Sequence, residues 1–220
     1  MCGRFINLNK TSRIEKTFDI IGKTTKKDIL SYNVSPSQFT KIITNSKILQ
    51  LENGKWGYTF LDKKTNSKKN IINSRLESIK NKFLFKDSFE KRKCVVPSNG
   101  YFEWSVNENT KKPYFIHVPE AEPIFFAGIW KYINFKENLY KIFSIITKPA
   151  NIYISDIHHR MPVLLSVEEV FDYLDHKKGN FLNINFKSNI EDYLEYYQIS
   201  KFVNNPLNNT KECIKPINYL

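Results

Sequence analysis

The second residue of the chain, Cys2, carries the most reactive combination of groups that the sequence offers. Initiator methionine is normally removed when the next residue is small, so we expect the mature chain to begin with this cysteine. A free α-amine with a pKa near ~8 and a thiol with a pKa near ~8.5 would then share one residue. Such an aminothiol condenses with an aldehyde to an imine, and the thiol then closes a five-membered thiazolidine ring. An internal cysteine has no free amine, so this chemistry requires the removal of Met1.

Three further segments place ionisable or amide side chains among apolar residues. Asn73 and Arg75 lie two residues apart, so on a strand their side chains point to the same face. Glu103 lies between aromatic residues, where burial would raise its pKa toward neutrality, as a general acid or base requires. His158 supplies an imidazole, the usual proton shuttle near pH 7. Taken singly, each residue also fits a structural role, as a surface carboxylate or a hydrogen-bonded histidine.

Strands are the main elements that must position these residues. Alternating and apolar runs predict strands at residues 40–44, 47–51, 94–97, 100–104, 114–118, 124–129 and 141–147. The Asn53-Gly54 pair between two of these runs predicts a hairpin turn. Helices are predicted at residues 11–23, capped by Thr11 or Ser12, and at residues 167–175, capped by Ser166. The pattern indicates one α+β domain over residues 1–220, with a β-rich core of mainly antiparallel strands and flanking short helices.

Composition places the chain among folded globular proteins. Of its 220 residues 41% are hydrophobic and 15% aromatic, and no run approaches the ~18 apolar residues of a membrane span. A secretory signal peptide is also missing from the pattern, so we expect no membrane association and a cytoplasmic location, or a nuclear one in a eukaryote. Three cysteines without metal-ligand spacing suit a reducing compartment, and we predict no metal or other cofactor.

The charge balance indicates a polyanionic partner. The chain has 34 Lys and Arg residues against 22 Asp and Glu residues, a net charge of +12. Such a field attracts nucleic acid and supplies affinity that is independent of base sequence. Basic residues cluster at 63–69 and again at 91–93. An alternative explanation is that an AT-rich genome makes lysine and asparagine codons abundant.

Four motifs, taken together and in order, resemble those of a known family. They are MCGRF at residues 1–5, NSRLE at 73–77, PSNGYFEW at 97–104 and HHRMPV at 158–163. Weaker similarities continue at residues 32–36, 56–57, 146–151 and 203–214. Each motif is short, but the ordered set resembles the SRAP family of abasic-site processing proteins along essentially the whole chain.

The resemblance implies a monomeric protein that binds single-stranded DNA containing abasic sites. It further implies a thiazolidine crosslink between Cys2 and the aldehyde of the abasic sugar, which shields the strand from cleavage. In this assignment Asn73 orients the chain terminus and the sugar, Glu103 shuttles protons, and His158 assists opening of the sugar ring. The family is also expected to remove Met1 itself and to reverse the crosslink, which gives it protease and lyase labels.

The resemblance also implies a set of DNA-contacting residues. Arg4 and Arg75 would hold phosphates through guanidinium geometry, and the implied contacts extend to Pro36, Thr147 and Arg160. Trp56, with Tyr101 or Phe102 as alternatives, is predicted to stack on bases. Two departures from the family pattern stand out. The residues after Trp56-Gly57 have no second tryptophan, and His159 replaces the aspartate that usually follows the catalytic histidine.

Two alternatives from other functional classes remain open at this stage. A thiol peptidase with an N-terminal nucleophile would use Cys2, His158 and Glu103, but it leaves the basic charge unexplained. A non-covalent DNA-binding module would use the motif residues only for structure. The module would be unaffected by Cys2→Ala, whereas covalent capture would be lost. The peptidase would cleave peptides other than its own Met1-Cys2 bond.

Overall fold

Strands account for most of the regular structure. A computed structural model describes residues 2–21, 27–62, 64–107, 110–135, 137–178 and 181–217. The strands are β1 (Arg4–Asn7), β2 (Ser31–Val34), β3 (Phe39–Asn45), β4 (Leu49–Trp56), β5 (Tyr58–Asp62), β6 (Ser67–Ile71), β7 (Asn73–Arg75), β8 (Lys93–Ser98), β9 (Gly100–Asn107), β10 (Thr110–His117), β11 (Ile124–Phe135), β12 (Asn138–Pro149), β13 (Arg160–Pro162), β14 (Leu164–Leu165) and β15 (Glu195–Gln198). The helices are α1 (Thr11–Phe18), α2 (Phe83–Lys91) and α3 (Val167–Leu174), with 3-10 helices at Pro119–Ala121, Asn189–Tyr193, Lys201–Asn204 and Lys211–Ile214.

Five strands close into a ring in the order β12, β4, β3, β8, β11 and back to β12. All of these pairs are antiparallel except β12 with β4. Outside the ring, β13 pairs with β12 and β14 with β11, both antiparallel, and β7 pairs in parallel with β12. The last pairing sets Asn73 opposite Ile145 and Arg75 opposite Thr147, which fixes the position of both motif residues on the ring.

A separate five-stranded antiparallel sheet has the order β15, β10, β9, β1, β2. The N-terminal strand β1 therefore lies inside this sheet, with β9 on one side and β2 on the other. Its register places Phe5 opposite Tyr101 and Arg4 opposite Phe102. Hydrogen bonds on both edges hold β1 in place, so the residues directly before it are held as well. β5 and β6 form a two-stranded hairpin.

Three apolar clusters separate the layers. Adjacent residues of the ring strands face opposite sides, as the two-residue period of a strand requires. Ile43 and Val95 pack with the three helices, whereas Ile42 and Val96 pack toward the five-stranded sheet. A smaller cluster joins the other face of that sheet to the C-terminal residues through contacts that include Val203. The layers are thus helices, ring, sheet and C-terminal segment.

The predicted α+β class with mainly antiparallel strands is confirmed. Ser166 caps α3 as predicted, since its hydroxyl accepts from the Glu169 N–H at 3.3 Å in a capping box. The predicted helix at 11–23 is shorter, ending at Phe18, because Asp19 adopts a left-handed conformation with φ 48°. Its N-cap is Lys10 and neither Thr11 nor Ser12, and residues 22–23 lie outside the described part of the chain.

The predicted hairpin turn at Asn53-Gly54 is wrong. Both residues lie within β4, where Gly54 pairs with Thr40 on one side and with Lys141 on the other. A Cβ atom at Gly54 would come within 2.8 Å of Ile42 and 2.9 Å of Phe143. The glycine is therefore required by close packing between strands of the ring, and the turn between β3 and β4 falls at residues 46–48.

Candidate active site

Cys2 lies buried directly before β1. Its side chain is 0% exposed and belongs to the apolar cluster between the ring and the sheet. The Cys2 carbonyl accepts a hydrogen bond of 2.8 Å from Asn73 Nδ2, and the thiol lies 3.8 Å from the Arg4 carbonyl. Burial raises the pKa of the Cys2 thiol far above its ordinary value, and the neighbouring Glu103 carboxylate raises it further. The thiol is therefore held protonated in this environment.

Asn73 joins the N-terminal segment to the ring. The parallel pairing of β7 with β12 positions its backbone, and its side-chain Nδ2 reaches the Cys2 carbonyl. Its Oδ1 atom is buried and accepts no hydrogen bond from any described residue. A buried carbonyl oxygen without a donor costs about 1–3 kcal/mol, so the site favours a donor at this position. An amine on Cys2 or a sugar hydroxyl would supply one.

Glu103 lies on β9, on the same face of the strand as Tyr101. Its side chain is 3% exposed, and its Oε1 accepts a long hydrogen bond of 3.4 Å from the Trp104 N–H. Burial raises the pKa of this carboxyl above its usual range, because the charged form loses water. The Glu103 carboxylate also raises the pKa of the Cys2 thiol, so the two groups influence each other electrostatically.

His158 ends a tight turn that spans residues 152–157. Ile154 and Ile157 anchor this turn in the same apolar cluster that contains Cys2. His158 Nδ1 accepts the Arg160 backbone N–H at 3.0 Å, which leaves the hydrogen of the neutral ring on Nε2. Burial is the main cause that lowers the pKa of His158 to about 4, and the electrostatic effect of His159, whose ring lies 4.3 Å away, acts in the same direction. The imidazole is therefore neutral at pH 7 with its N–H on Nε2.

The three predicted arginine contacts have different environments. Arg75 is exposed, and its guanidinium pairs with no carboxylate of the described residues. Arg4 is half-buried and donates to the Asn33 side chain and to the carbonyls of Val203 and Asn204. Arg160 is buried, with a bidentate ion pair to Glu77. Only Arg75 is thus fully available to a phosphate.

The structure places Arg160 and Thr147, two of the predicted DNA contacts, in the interior. Arg160 is 6% exposed and Thr147 is 0% exposed. Besides its pair with Glu77, Arg160 Nη2 donates to the Thr147 carbonyl at 2.7 Å and to its hydroxyl at 3.2 Å. The guanidinium therefore fastens β13 to β12 and to the segment after β7, and it is not a surface ligand.

The predicted base-stacking residues lie in the interior as well. Trp56, Tyr101 and Phe102 are each 0% exposed. The Trp56 ring packs at 5.0 Å on Phe5, and its Nε1 donates to the Ile72 carbonyl at 3.0 Å. Trp56 and Tyr101 belong to the apolar cluster that contains Cys2, and Phe102 belongs to the cluster on the other face of the sheet, so none of the three rings is exposed. Pro36 remains half-exposed in the turn before β3.

Sequence reasoning missed a second group of residues that positions the His158 turn. Asn151 Oδ1 accepts the Ile154 N–H at 3.1 Å, and its Nδ2 donates to the Glu191 carbonyl at 3.3 Å. Glu191 is 1% exposed and pairs with Lys148 at 2.6 Å. Asparagine often accepts a hydrogen bond from the backbone two or three residues later and so favours a turn, which means that the turn at Asn151 could have been predicted from the sequence. The buried ion pair was not, because its partners lie 43 residues apart.

Two further properties bear on what the site can hold. Among the described residues no three His, Cys, Asp or Glu side chains come together in a way that could bind a metal ion. None of the described helices has the length and apolar character to cross a bilayer. Cys94 and Cys213 are buried free thiols, and both lie outside the group formed by Cys2, Asn73 and Glu103.

Comparison with known proteins identifies close relatives over the whole chain. The abasic site processing protein YoqW of Bacillus subtilis is 32% identical over 225 residues, which cover 98% of this chain and 99% of YoqW. The abasic site processing protein YedK of Escherichia coli is 27% identical over 232 residues, covering 99% and 100%.

The fold has a solved counterpart as well. A crystal structure of a protein from Bacteroides thetaiotaomicron superposes with a TM-score of 0.80 at 23% identity, covering 99% of this chain and 100% of that one. The sequence profile of SRAP, described as SOS response associated peptidase, matches residues 1–206. The chain therefore belongs to the SRAP family.

Proposed function

We propose that this protein captures abasic sites in single-stranded DNA as a covalent thiazolidine on Cys2. The observation that carries the proposal is the hydrogen bond from Asn73 Nδ2 to the Cys2 carbonyl, with Asn73 Oδ1 buried and lacking a donor. This arrangement fixes the carbonyl of the first residue of a mature chain and leaves an acceptor on the same Asn73 side chain for a further donor. Relatives that match the chain over nearly its full length are named abasic site processing proteins, which supports the same substrate.

The chemistry requires three balanced steps. The closed abasic sugar opens to its aldehyde, with one proton leaving the hydroxyl and another reaching the ring oxygen. The Cys2 amine nitrogen then adds to the aldehyde carbon, and one water leaves to form an imine. Finally the Cys2 sulfur adds to the imine carbon while its proton passes to nitrogen, which closes the thiazolidine. Aldehyde and aminothiol thus combine with the loss of one water.

His158 and Glu103 have complementary roles in these steps. Nδ1 of His158 accepts the Arg160 N–H, so the hydrogen of the neutral ring is on Nε2, and this N–H donates a hydrogen bond to the sugar oxygen during ring opening. The raised pKa of Glu103 increases its protonated fraction near neutral pH, which allows it to donate the proton that accompanies the departing water. Glu103 recovers its proton when the amine nitrogen loses one on the way to the imine, and His158 keeps its N–H throughout.

Burial of Cys2 favours a stable adduct over turnover. A thiol whose pKa is raised by burial is a weak nucleophile, so it reacts only with a strongly electrophilic carbon held beside it, such as that of an imine. The same burial excludes water, which would hydrolyse the imine. A general thiol peptidase needs a thiolate at rest, so the environment of Cys2 supports the capture reaction better than the peptidase alternative.

Strand binding rests on charge and on the exposed arginine. The net charge of +12 attracts a polyanion without regard to base sequence, and Arg75 is placed two residues from Asn73 on β7. We also propose that the protein removes Met1 itself and can reverse the crosslink. It would act as a monomer, in the cytoplasm or, in a eukaryote, in the nucleus. Arg4 is proposed to hold β1 and, through its remaining exposed face, a phosphate.

The test is the intact mass of the purified protein before and after incubation with a single-stranded oligonucleotide carrying one abasic site. We expect loss of Met1 and a DNA adduct that survives denaturation. Cys2→Ala keeps the α-amine and loses the thiol, so it should give only an imine that borohydride traps. Cys213→Ala, which removes another buried thiol, should behave as the unmodified protein. A methionine-free protein without any adduct would refute the proposal.

A further inference from the structure

A groove of about 430 Å³ lies beside the β5–β6 hairpin, away from Cys2. Two aromatic rings and two lysines line it, contributed by Phe39, Tyr140, Lys55 and Lys68, with Thr59 and Asn134 as neutral polar residues. The rings of Phe39 and Tyr140 lie 5.8 Å apart. Phe39 is 39% exposed although it is a large apolar side chain. We call this feature the lysine-aromatic groove.

The chemistry of the groove suits one class of ligand. Neither Lys55 nor Lys68 pairs with a carboxylate of the described residues, whereas the neighbouring Lys69 pairs with Asp62. None of the described residues that line the groove is acidic. Unpaired ammonium groups beside accessible rings are the combination that binds single strands, because rings stack on bases while lysines contact phosphates.

The groove is within reach of a strand bound at Cys2. Lys68 precedes Asn73 by five residues, and five extended residues span at most about 18 Å. Tyr140 lies five residues before Ile145, which pairs with Asn73, so β12 independently gives about 17 Å. Phe39 follows Pro36, a predicted DNA contact, by three residues. Two separate lengths of chain thus limit the distance from the groove to Asn73 to about 18 Å at most.

We infer that the lysine-aromatic groove binds undamaged nucleotides of the same single strand whose abasic site reacts with Cys2. The inference rests on the proposed function, because it assigns the partner of that site a second point of contact. One base stacks on Phe39 and Tyr140, and Lys55 and Lys68 contact the flanking phosphates. Affinity thus depends on strand length beyond the lesion, whereas the chemistry depends on Cys2.

Fluorescence anisotropy with undamaged single strands tests this directly. A long strand of about 16 nucleotides, the upper range for a single-strand-binding fold, is compared with a short strand that covers only the reactive site. The unmodified protein should bind the long strand more tightly. Phe39→Ala should reduce that advantage by about tenfold, the loss expected for one stacking ring. Lys55→Gln with Lys68→Gln should lower the salt slope of long-strand binding by about 1.4, or about 0.7 for each phosphate contact.

Matched variants control for general effects. Phe171→Ala removes a similarly exposed phenylalanine that packs on one ring at 5.5 Å, and Lys16→Gln with Lys86→Gln removes the same charge from two helices. Both should retain the length advantage and the salt slope. Equal behaviour of groove and control variants, or no length advantage in the unmodified protein, overturns the inference. Covalent capture measured in parallel judges the proposed function separately, since anisotropy on undamaged DNA requires no adduct.

Discussion

Substitution by glutamine should affect different properties of the protein at Arg160 and at Arg75, two arginines of the motif set. Arg160→Gln removes a guanidinium that is 6% exposed, pairs with both oxygens of Glu77, and donates to the Thr147 carbonyl at 2.7 Å. Arg75→Gln removes one that is exposed and has no carboxylate partner among the described residues. The first change should therefore lower stability, and the second should weaken DNA binding.

The magnitude for Arg160→Gln follows from its contacts. A hydrogen bond to a charged group contributes about 1.5–3 kcal/mol, and the substitution removes such bonds to Glu77 and to the Thr147 carbonyl, which keeps a second donor in the Leu76 N–H at 2.9 Å. Glu77 is 33% exposed and regains water, which removes much of its share. We expect a loss of about 3 kcal/mol in the free energy of unfolding. That corresponds to a fall of roughly 6–12 °C in Tm for a chain of this size.

The assay is urea unfolding of both variants together with the salt dependence of single-strand binding. Arg75→Gln should leave the unfolding free energy within about 0.5 kcal/mol and lower the salt slope by about 0.7. Arg160→Gln should lower the unfolding midpoint and leave the m value unchanged. The reasoning is refuted if Arg160→Gln is as stable as the unmodified protein and reduces the salt slope as Arg75→Gln does.

Three other outcomes follow from the structure. Proton NMR should find His158 titrating near about 4, and a midpoint near the ordinary ~6.5 would contradict the burial argument. Because its folded pKa lies below its unfolded value, this histidine should reduce stability as pH falls from ~6.5 toward 4, which His158→Gln removes. Lys148→Met, which leaves Glu191 buried at 1% exposure, should cost about 3–5 kcal/mol in calorimetry, while adding Glu191→Leu should restore most of it. Asn33→Leu, which releases three carbonyls of the C-terminal segment including that of Val203, should cost about 2 kcal/mol and make that segment sensitive to protease; unchanged cleavage would contradict it.

Residue type and local pattern were enough for the fold class and for the elements that carry the motifs. β-branched runs predict the ring strands, since Ile42 and Ile43 face opposite sides as a two-residue period requires. Ser166 with Glu169 predicts the start of α3 because a capping box is a purely local arrangement. In both cases the physical cause acts within a few residues.

Direction and exposure depend on distant neighbours, and the sequence does not supply these. Trp56 is as good a stacking ring as any by type, but Phe5 and the Ile72 carbonyl hold it in the interior. Arg160 is a good phosphate ligand by type, but Glu77 lies 83 residues away and takes it. Gly54 follows an asparagine as turn glycines often do, yet it lies within a strand, where the absence of a Cβ atom leaves room for side chains of the two neighbouring ring strands.

The way in which Cys2 is held sets the order of events during synthesis. β1 leaves the ribosome early, but its strand partner β9 begins at Gly100, and the His158 turn comes later still. Arg4 and Asn33 bond to carbonyls at Val203 and beyond, so the strand that follows Cys2 is fastened only when nearly the whole chain is available. Any trimming of Met1 that relies on the protein's own groups must therefore be post-translational. A nascent or truncated chain would carry Cys2 without the C-terminal contacts that hold β1.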